Sequence, residues 1–510
     1  MKINDEKGFE IVDLSTRGQR SQSLMNKVLL LNFNWRNMQK VGRMDKNTPV
    51  VPLEYLYISA ALDKKAIKND FIDLWGLNKQ LTDIEKELVN SEIIVLNSAP
   101  SYVFWRDGTL ETGFPKKGIE EVRKLNPKAK IILIGPHATV KPSDFFAEKI
   151  DFIVKGEPDL TTAELIEALI EKKDFSNLKG VCYKKDNEWI VAKENANVDN
   201  LHDLPVLPFE KVNLALYNWP PAPAHINSKL SAGYEASRGC IYDCTFCFRE
   251  GFRGKFRLKS FEQIEAELEK LRQQGVDYIY FIDELFAIDR LWTKRVCEIV
   301  TEKGIKWGCQ TRPHLMNKEK IKFYAEHNCA RIEMGLETVN TDILKNLDKL
   351  GVNPVSLKDC VNEMIANNIR PTLFCIIGSP GENKKSIKQM LDYLVKLPLD
   401  QMEVNIDIMM PYPDTKLWKQ AKEHGVKLNE WSDVEKYVGI IDNDFSSTQQ
   451  IKTEFVKFLN TVSREKRKRE LSKQLKAFKP TSFITMLKLA KCQALIFFPS
   501  LNDFIDKLKA

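Results

Sequence analysis

The sequence predicts an α/β protein made of two strand-and-helix alternations in series, closed by a mostly helical C-terminal extension. Three observations carry this. Short apolar runs alternate with segments of helical periodicity over residues 26–175, and again over residues 231–425. A stretch containing Pro205, Pro208, Pro220, Pro221 and Pro223 separates the two, so residues 176–230 read as a linker. Polar residues and glycines gather just past the ends of the apolar runs, where open α/β sheets bind ligands.

Composition sets the bounds. A hydrophobic content of 43% and a charged content of 29% are those of a chain with packed cores, and 510 residues suffice for more than one domain. The net charge of +7 is local: between Ile451 and Pro480 stand ten Lys or Arg against three Glu, which is the whole excess. The rest of the chain is neutral on balance, which argues against a nucleic-acid partner. Residues 1–25 read as a polar leader without a secretory signal. Ten cysteines in a chain of this length are too sparse for a disulfide scaffold, so a reducing cytoplasm is the expected location.

The first alternation, residues 26–175, is a Rossmann-like, doubly wound parallel sheet. The continuous run Lys27 to Phe33 suits a strand buried on both faces. Pro52 to Lys65 has helical spacing, and Asn69 to Trp75 and Ser91 to Ser98 are the next strands. Gly118 to Leu125 is helical, Lys130 to Ile134 and Asp151 to Val154 are strands, and Thr161 to Lys172 closes the unit as a helix. Three strand ends can touch a bulky ligand: Asn97, Ser98, Ser101 and Tyr102 after the third, Gly135, His137 and Ala138 after the fourth, and Gly156 and Glu157 after the fifth. No G-x-G-x-x-G follows the first strand, so a dinucleotide is not expected. Cys182 to Val191 suits a small hairpin within the linker.

The second alternation opens at Gly233 and leads into Cys240, Cys244 and Cys247, spaced C-x3-C-x2-C. Three thiolates on one loop can hold three corners of an iron–sulfur cube and leave the fourth iron open to a substrate, whereas closed clusters use four. A zinc site is the competing reading, but it normally brings a second cysteine pair downstream, and none is present. Phe246 and Phe248 flank the last cysteine and can shield the site. The seven remaining cysteines sit among apolar neighbours and read as small core residues. A capping box at Ser260–Gln263 starts a helix, and strands are expected at Tyr278 to Ile282, Ile305 to Cys309, Ala330 to Gly335, Pro371 to Gly378 and Glu403 to Met410. Their ends carry Asp283 and Glu284, Arg312, Gly335 with Glu337 and Thr338, Gly378, and Pro411 with Tyr412. Trp307, Tyr412 and Trp418 can reach a substrate, although core is the commoner role for such aromatics.

The cysteine loop resembles that of the radical S-adenosylmethionine (SAM) enzymes, and the strand-end residues come in the order of that family. The resemblance implies a partial (β/α)6 TIM-like barrel, a [4Fe-4S] cluster on Cys240, Cys244 and Cys247, and SAM chelated to the open iron. It implies that Asp283 and Glu284 receive the ammonium group of SAM and that Gly335, Glu337 and Thr338 lie on its ribose side. Gly378, Pro411 and Tyr412 would lie near adenine, and Arg312 can pair with the SAM carboxylate. The first domain is similar to the cobalamin-binding domain preceding many of these barrels, Gly135-Pro-His-Ala-Thr139 being the nearest match. The D-x-H-x-x-G signature is missing, which implies base-off cobalamin without a histidine on cobalt.

The activity so implied is methylation of an unactivated carbon through a 5′-deoxyadenosyl radical and methylcobalamin. The substrate would be a small molecule or peptide, and flavodoxin or ferredoxin would donate electrons. Cyclisation or rearrangement without methyl transfer is the alternative. A metal-containing RNA-binding protein is a third reading, against which the neutral body of the chain argues. In residues 426–510, Glu454 to Phe478 is a basic helix, and Ser482 to Phe498 is apolar but interrupted by Lys488 and Lys491. Packing of these helices against the barrel is expected, with peripheral membrane contact as the alternative.

Overall fold

The computed structural model describes residues 27–38, 48–100, 112–217, 219–248, 253–349, 351–424, 426–428, 443 and 447–477. Its first sheet has seven strands in the order β2-β1-β3-β4-β5-β6-β7. They are β1 (Val28–Asn32), β2 (Asn69–Asp73), β3 (Ile93–Asn97), β4 (Lys130–Ile134), β5 (Phe152–Val154), β6 (Val181–Lys185) and β7 (Glu188–Ile190). The first five pair in parallel. Every residue of β1 and β3 is buried, as apolar strands covered on both faces must be. The strand order reverses between β1 and β3, the crevice where such sheets bind ligands.

Some details differ from the sequence reading. The strand expected over Asn69 to Trp75 ends at Asp73, and Leu74–Leu77 is a short helix. The helix expected from Gly118 begins at Gly113. The hairpin β6–β7, read as part of the linker, pairs antiparallel with β5 and extends the first sheet. Its two-residue loop needs two left-handed residues, and Asp186 and Asn187 supply them at φ 51° and 67°. The rest of the linker is packed rather than loose. Leu201, Leu204, Leu207, Phe209 and Leu214 are buried. The Gln263 amide donates to the carbonyls of Leu201 and Leu204 at 3.0 and 2.7 Å.

The second sheet has six parallel strands in the order β15-β14-β13-β12-β11-β8. These are β8 (Ser231–Tyr234), β11 (Tyr278–Phe281), β12 (Lys306–Thr311), β13 (Cys329–Glu337), β14 (Arg370–Ile377) and β15 (Glu403–Ile408). Between β8 and β11 a two-residue ribbon, β9 (Ser237–Arg238) with β10 (Arg257–Leu258), carries the chain into and out of the cysteine loop. Because β8 and β15 stay unpaired with each other, the sheet is a barrel open along one seam. The helix Phe261–Gln273 starts at the expected Ser260–Gln263 capping box.

The basic helix Thr448–Ala477 lies against the barrel. Ile451, Phe458 and Val462 are buried, Arg469 donates to the carbonyls of Val395 and Leu397, and Lys473 pairs with Asp400. No helix among the described residues is long and apolar enough to cross a membrane. The apolar segment Ser482 to Phe498, with Cys492, lies outside the described residues.

One buried ion pair ties linker, barrel and helix together. Lys259 and Glu267 meet at 2.6 Å with side chains fully excluded from solvent. Glu267 also accepts from the Tyr234 hydroxyl at 2.8 Å and from the Leu207 N–H at 3.0 Å. Removing one member of such a pair strands the other charge, so Lys259→Met is expected to cost about 3–5 kcal/mol. The check is a urea unfolding curve, in which the midpoint falls while the slope is kept.

Candidate functional site

The cysteine loop begins where the chain makes a forced turn. Gly239 sits at φ +80°, and a Cβ there would stand 2.2 Å from the Lys255 carbonyl oxygen, so only glycine fits. Its N–H donates to Glu284 Oε2 at 2.8 Å. Cys240 and Cys244 come next, half-buried, and Cys247 is exposed. The loop then bridges the mouth of the open barrel. Thr245 N–H donates to the Leu347 carbonyl at 3.1 Å, and Leu417 N–H, beyond β15, donates to the Thr245 carbonyl at 2.9 Å. Lys416 pairs with Asp243 at 2.5 Å and with Asp348 at 3.3 Å. Phe246 packs on the apolar cluster of Ile343, Leu347, Met409 and Leu417, while Phe248 is buried 6.2 Å from the Tyr412 ring.

The predicted residues divide into those facing the loop and those bracing it. Arg312, ending β12, donates to Cys244 Sγ at 3.3 Å and stacks 3.9 Å above the Tyr242 ring. Tyr242 in turn meets His314 Nε2 at 2.7 Å. The sequence reading pairs Arg312 with the carboxylate of a ligand; in the structure its guanidinium rests on the Cys244 thiol, and a donor to a cysteine sulfur is one of the means by which proteins tune clusters. Glu284 receives the Gly239 amide and has Arg253 Nε 3.2 Å from its other oxygen. Asp283 is committed elsewhere. It accepts from Ala236 N–H at 2.9 Å and Ser237 Oγ at 2.5 Å, and burial raises its carboxyl to about 7. It braces the root of the loop rather than offering a free carboxylate.

Gly335 lies beneath the Lys349–Glu337 pair: a Cβ there would stand 2.3 Å from Lys349 Nζ. Thr338 is fully buried. Gly378 donates its N–H to Glu382, whose carboxyl burial raises to about 7. Pro411 is buried and Tyr412 is half-buried against the loop. Trp307 is fully buried core and Trp418 is buried at 8% exposure, as their commoner role suggested.

In the first domain the strand ends are bonded to one another. Asn97 donates to Glu54 at 2.5 Å. His137 Nδ1–H donates to the Ser98 carbonyl at 2.6 Å, and Ala138 N–H donates to Ser98 Oγ at 3.2 Å. Thr139 Oγ1 accepts from Gly156 N–H at 2.9 Å. Gly135, at φ +100°, would place a Cβ 1.9 Å from Asn97 Oδ1, so this edge stays bare backbone. A cavity of about 620 Å³ opens in the same domain at the ends of β1 and β2, lined by Phe33, Asn34, Leu74 and Phe114 among others. That size suits part of a bulky cofactor. Ser101 and Tyr102 lie outside the described residues.

Glu157, predicted to face a ligand, makes its protein bonds at the domain boundary. It is buried, and Arg257 grips it at 2.7 and 2.8 Å while Val198 N–H donates to it at 2.7 Å. It belongs to a dry ionic junction between the domains. There Arg238 bonds Asp159 at 2.7 and 3.0 Å and Glu235 at 2.7 Å, and Arg253 bonds Glu235 at 2.7 Å. Sequence reasoning missed these residues, and Lys349 too. The one available signal was the Arg and Glu residues flanking the cysteine motif.

The donor sets fit the implied groups. Three thiols stand on one loop, and the other described cysteines are buried in strands and helices with thiol pKa values raised by burial. Among the described residues no three His, Cys, Asp or Glu side chains are grouped around a single metal ion. Thiolates on separate irons of a cube have no need to converge.

Comparison with known proteins agrees. Residues 234–394 match the family model of the radical SAM superfamily. An uncharacterized methyltransferase of Pyrococcus horikoshii is 26% identical over 308 residues, 59% of this chain and 64% of the relative, so the chain spans less than two thirds of that relative's length. Two solved structures share the fold. One is TsrM from Kitasatospora setae, a radical SAM methyltransferase with cobalamin and a [4Fe-4S] cluster bound (TM-score 0.63, 16% identity, covering 79% of this chain and 78% of that one). The other is OxsB, a cobalamin-dependent SAM radical enzyme with aqua-cobalamin and SAM bound (TM-score 0.64, 16% identity, covering 93% and 72%).

Two outcomes are expected from this geometry. Cys240→Ala, Cys244→Ala and Cys247→Ala should each lose bound iron after anaerobic reconstitution, read by iron analysis and visible absorption. Glu54 is fully buried, and burial raises its carboxyl from 4.5 to about 8. The folded chain then holds a proton that the unfolded chain releases, so this contribution is complete below pH 4.5 and is lost as pH rises through about 8. Glu54→Gln should flatten the fall in unfolding free energy across that window, measured by denaturation at pH 6 and pH 8.5.

Proposed function

Since the chain carries a radical SAM domain in the two-domain fold of TsrM and OxsB, we propose that it is a cobalamin-dependent radical SAM methyltransferase acting on an unactivated carbon of a small molecule or peptide. The observation that carries the reading is that the three-cysteine loop and the strand-end loop after β5 meet in one buried junction. A cofactor held over the strand ends of the first domain and one held on the cysteines would then face a common space. When bound, cluster and SAM supply a hydrogen-abstracting radical, and cobalamin supplies the methyl group.

The chain's own residues have defined parts in this reading. Cys240, Cys244 and Cys247 hold the cluster and leave one iron for SAM. Glu284, whose carboxyl burial raises, stands at the root of the loop, where the SAM ammonium is needed. Arg312, which donates to Cys244 Sγ, would stabilise negative charge on a bound cluster. Gly378, Pro411 and Tyr412 shape the opposite rim, where adenine would lie. Asn97, Ser98, Gly135, Ala138 and Gly156 offer cobalamin a bare edge. His137, with Nδ1 bonded to Ser98 and its ring fully buried, is part of the floor. A flavodoxin or ferredoxin would deliver the electrons.

The test is incubation of the reconstituted protein with methyl-labelled SAM, cobalamin and an extract of the producing cell, read by mass spectrometry. A labelled product together with 5′-deoxyadenosine is expected. 5′-Deoxyadenosine with an unlabelled, rearranged product would instead assign a radical cyclase or rearrangement enzyme. In the electron paramagnetic resonance spectrum of the cob(II)alamin form, no nitrogen superhyperfine splitting is expected, and His137→Ala should leave that spectrum unchanged.

A further inference from the structure

We propose that Asp159, on the N-terminal domain, is a positioning residue for the cysteine loop of the barrel. It would fix Arg238, and through it the first cluster ligand, across the domain boundary. The proposal rests on the reading of this loop as a cluster loop.

Arg238 is two residues before Cys240 and is fully buried. The ribbon that carries it, β9 with β10, has only two residues per strand, too few to fix the direction of the chain as it enters the loop. Side-chain bonds do it instead. Arg238 gives two parallel bonds to Asp159, at 2.7 and 3.0 Å, and a third through Nε to Glu235 at 2.7 Å. Its guanidinium lies 4.9 Å from the centre of the Tyr57 ring, also on the first domain. Gly239 then turns at φ +80° with its N–H on Glu284, and Cys240 comes next. The first cysteine is therefore aimed by an arginine whose forked contact belongs to the other domain.

Asp159 is also well placed to report on that domain. It lies in the segment Gly156-Glu157-Pro158-Asp159 beyond β5, and Gly156 is bonded to Thr139 at the neighbouring strand end. The segment that borders the ligand edge of the first sheet thus holds the root of the cysteine loop. A forked carboxylate–guanidinium contact fixes orientation as well as distance. Asparagine cannot reproduce it, because one of its two positions carries an N–H2 that opposes the arginine donors.

A plain docking role is separable from a positioning one, because the junction contains a matched control. Glu157 and Arg257 form a similarly forked pair between the same domains, at 2.7 and 2.8 Å, while Glu157 lies 3.7 Å from Arg238, beyond hydrogen-bond reach of the residue that aims the loop. Arg257 lies on β10, after the loop has returned, and does not precede a cysteine.

The experiment uses full-length protein, anaerobically reconstituted, as wild type, Asp159→Asn and Glu157→Gln. Iron content, melting temperature, the paramagnetic resonance signal of the reduced cluster with and without SAM, and SAM affinity are measured. Both variants should melt earlier. Only Asp159→Asn should keep its iron while shifting the reduced-cluster signal and weakening SAM binding by about tenfold or more, the equivalent of one lost charged bond. An unchanged signal and affinity in Asp159→Asn, or equal changes in Glu157→Gln, would overturn the proposal and leave Asp159 a docking residue. If Asp159→Asn does not fold, Asp159→Glu keeps the charge and lengthens the arm by one methylene; a shifted signal supports positioning and an unshifted one refutes it. Failure of the wild type to assemble a cluster would remove the underlying reading, an outcome distinct from a wild type that works and variants that match it.

Discussion

The architecture depends on burying charge without leaving it alone. Arg238, Arg253, Glu235, Glu157 and Asp159 are almost wholly excluded from water at the seam between the two domains. Each such ion costs several kcal/mol to desolvate, and the cost is offset only while forked partners remain in place. The seam therefore has few acceptable geometries. A small rotation of one domain would separate several pairs at once and strand charges in a dry interior. This directional constraint adds to the apolar cluster that runs through both domains, which is non-directional.

That constraint serves the site because both sheets present the same kind of edge. In parallel α/β sheets the ligand-binding loops lie at the carboxyl ends of the strands. The ionic seam joins the loop after β5 of one sheet to the loop after β8 of the other, and both are carboxyl-end loops. The open seam of the barrel contributes as well. With β8 and β15 unpaired, the mouth is closed by the cysteine loop, which takes a backbone bond from Leu417 and gives one to Leu347. The loop is at once the candidate metal-binding segment and the strap across the barrel.

The range of each interaction decides how much of this was legible in the sequence. The strands were legible because each is a short apolar run covered on both faces, and β1 and β3 are buried at every position. The three cysteines were legible because their spacing is local. The hairpin β6–β7 was seen, but its attachment to β5 was not, because pairing partners leave no mark in local periodicity. The protein partners of Asp283, Arg312 and Glu157 were illegible for a related reason. An acid or arginine at a strand end looks free in sequence, whereas Asp283 is satisfied by Ala236 and Ser237 and Glu157 by Arg257, 100 residues away. Sequence places such residues at the right edge of the sheet but cannot tell whether a partner already occupies them.

The charge balance at the root of the loop gives Glu284 its distinct character. Among the described residues of the junction, Arg238, Arg253 and Arg257 face Glu157, Asp159 and Glu235 through close bonds. Those three positive and three negative groups cancel, and Glu284 and Asp283 are the carboxyls left over, Asp283 being bonded to Ala236 N–H and the Ser237 hydroxyl. The cation nearest Glu284, Arg253, is already committed to Glu235 and lies at 3.2 Å without a well-aligned bond. Burial and the neighbouring Glu235 both push the Glu284 carboxyl upward, while Arg253 and the Gly239 amide pull it down. A carboxylate in excess, in a dry place beside three thiols, is stabilised by whatever cation arrives there, because Coulomb attraction is strongest where water is excluded. On the proposed function, the ammonium group of SAM would meet that demand.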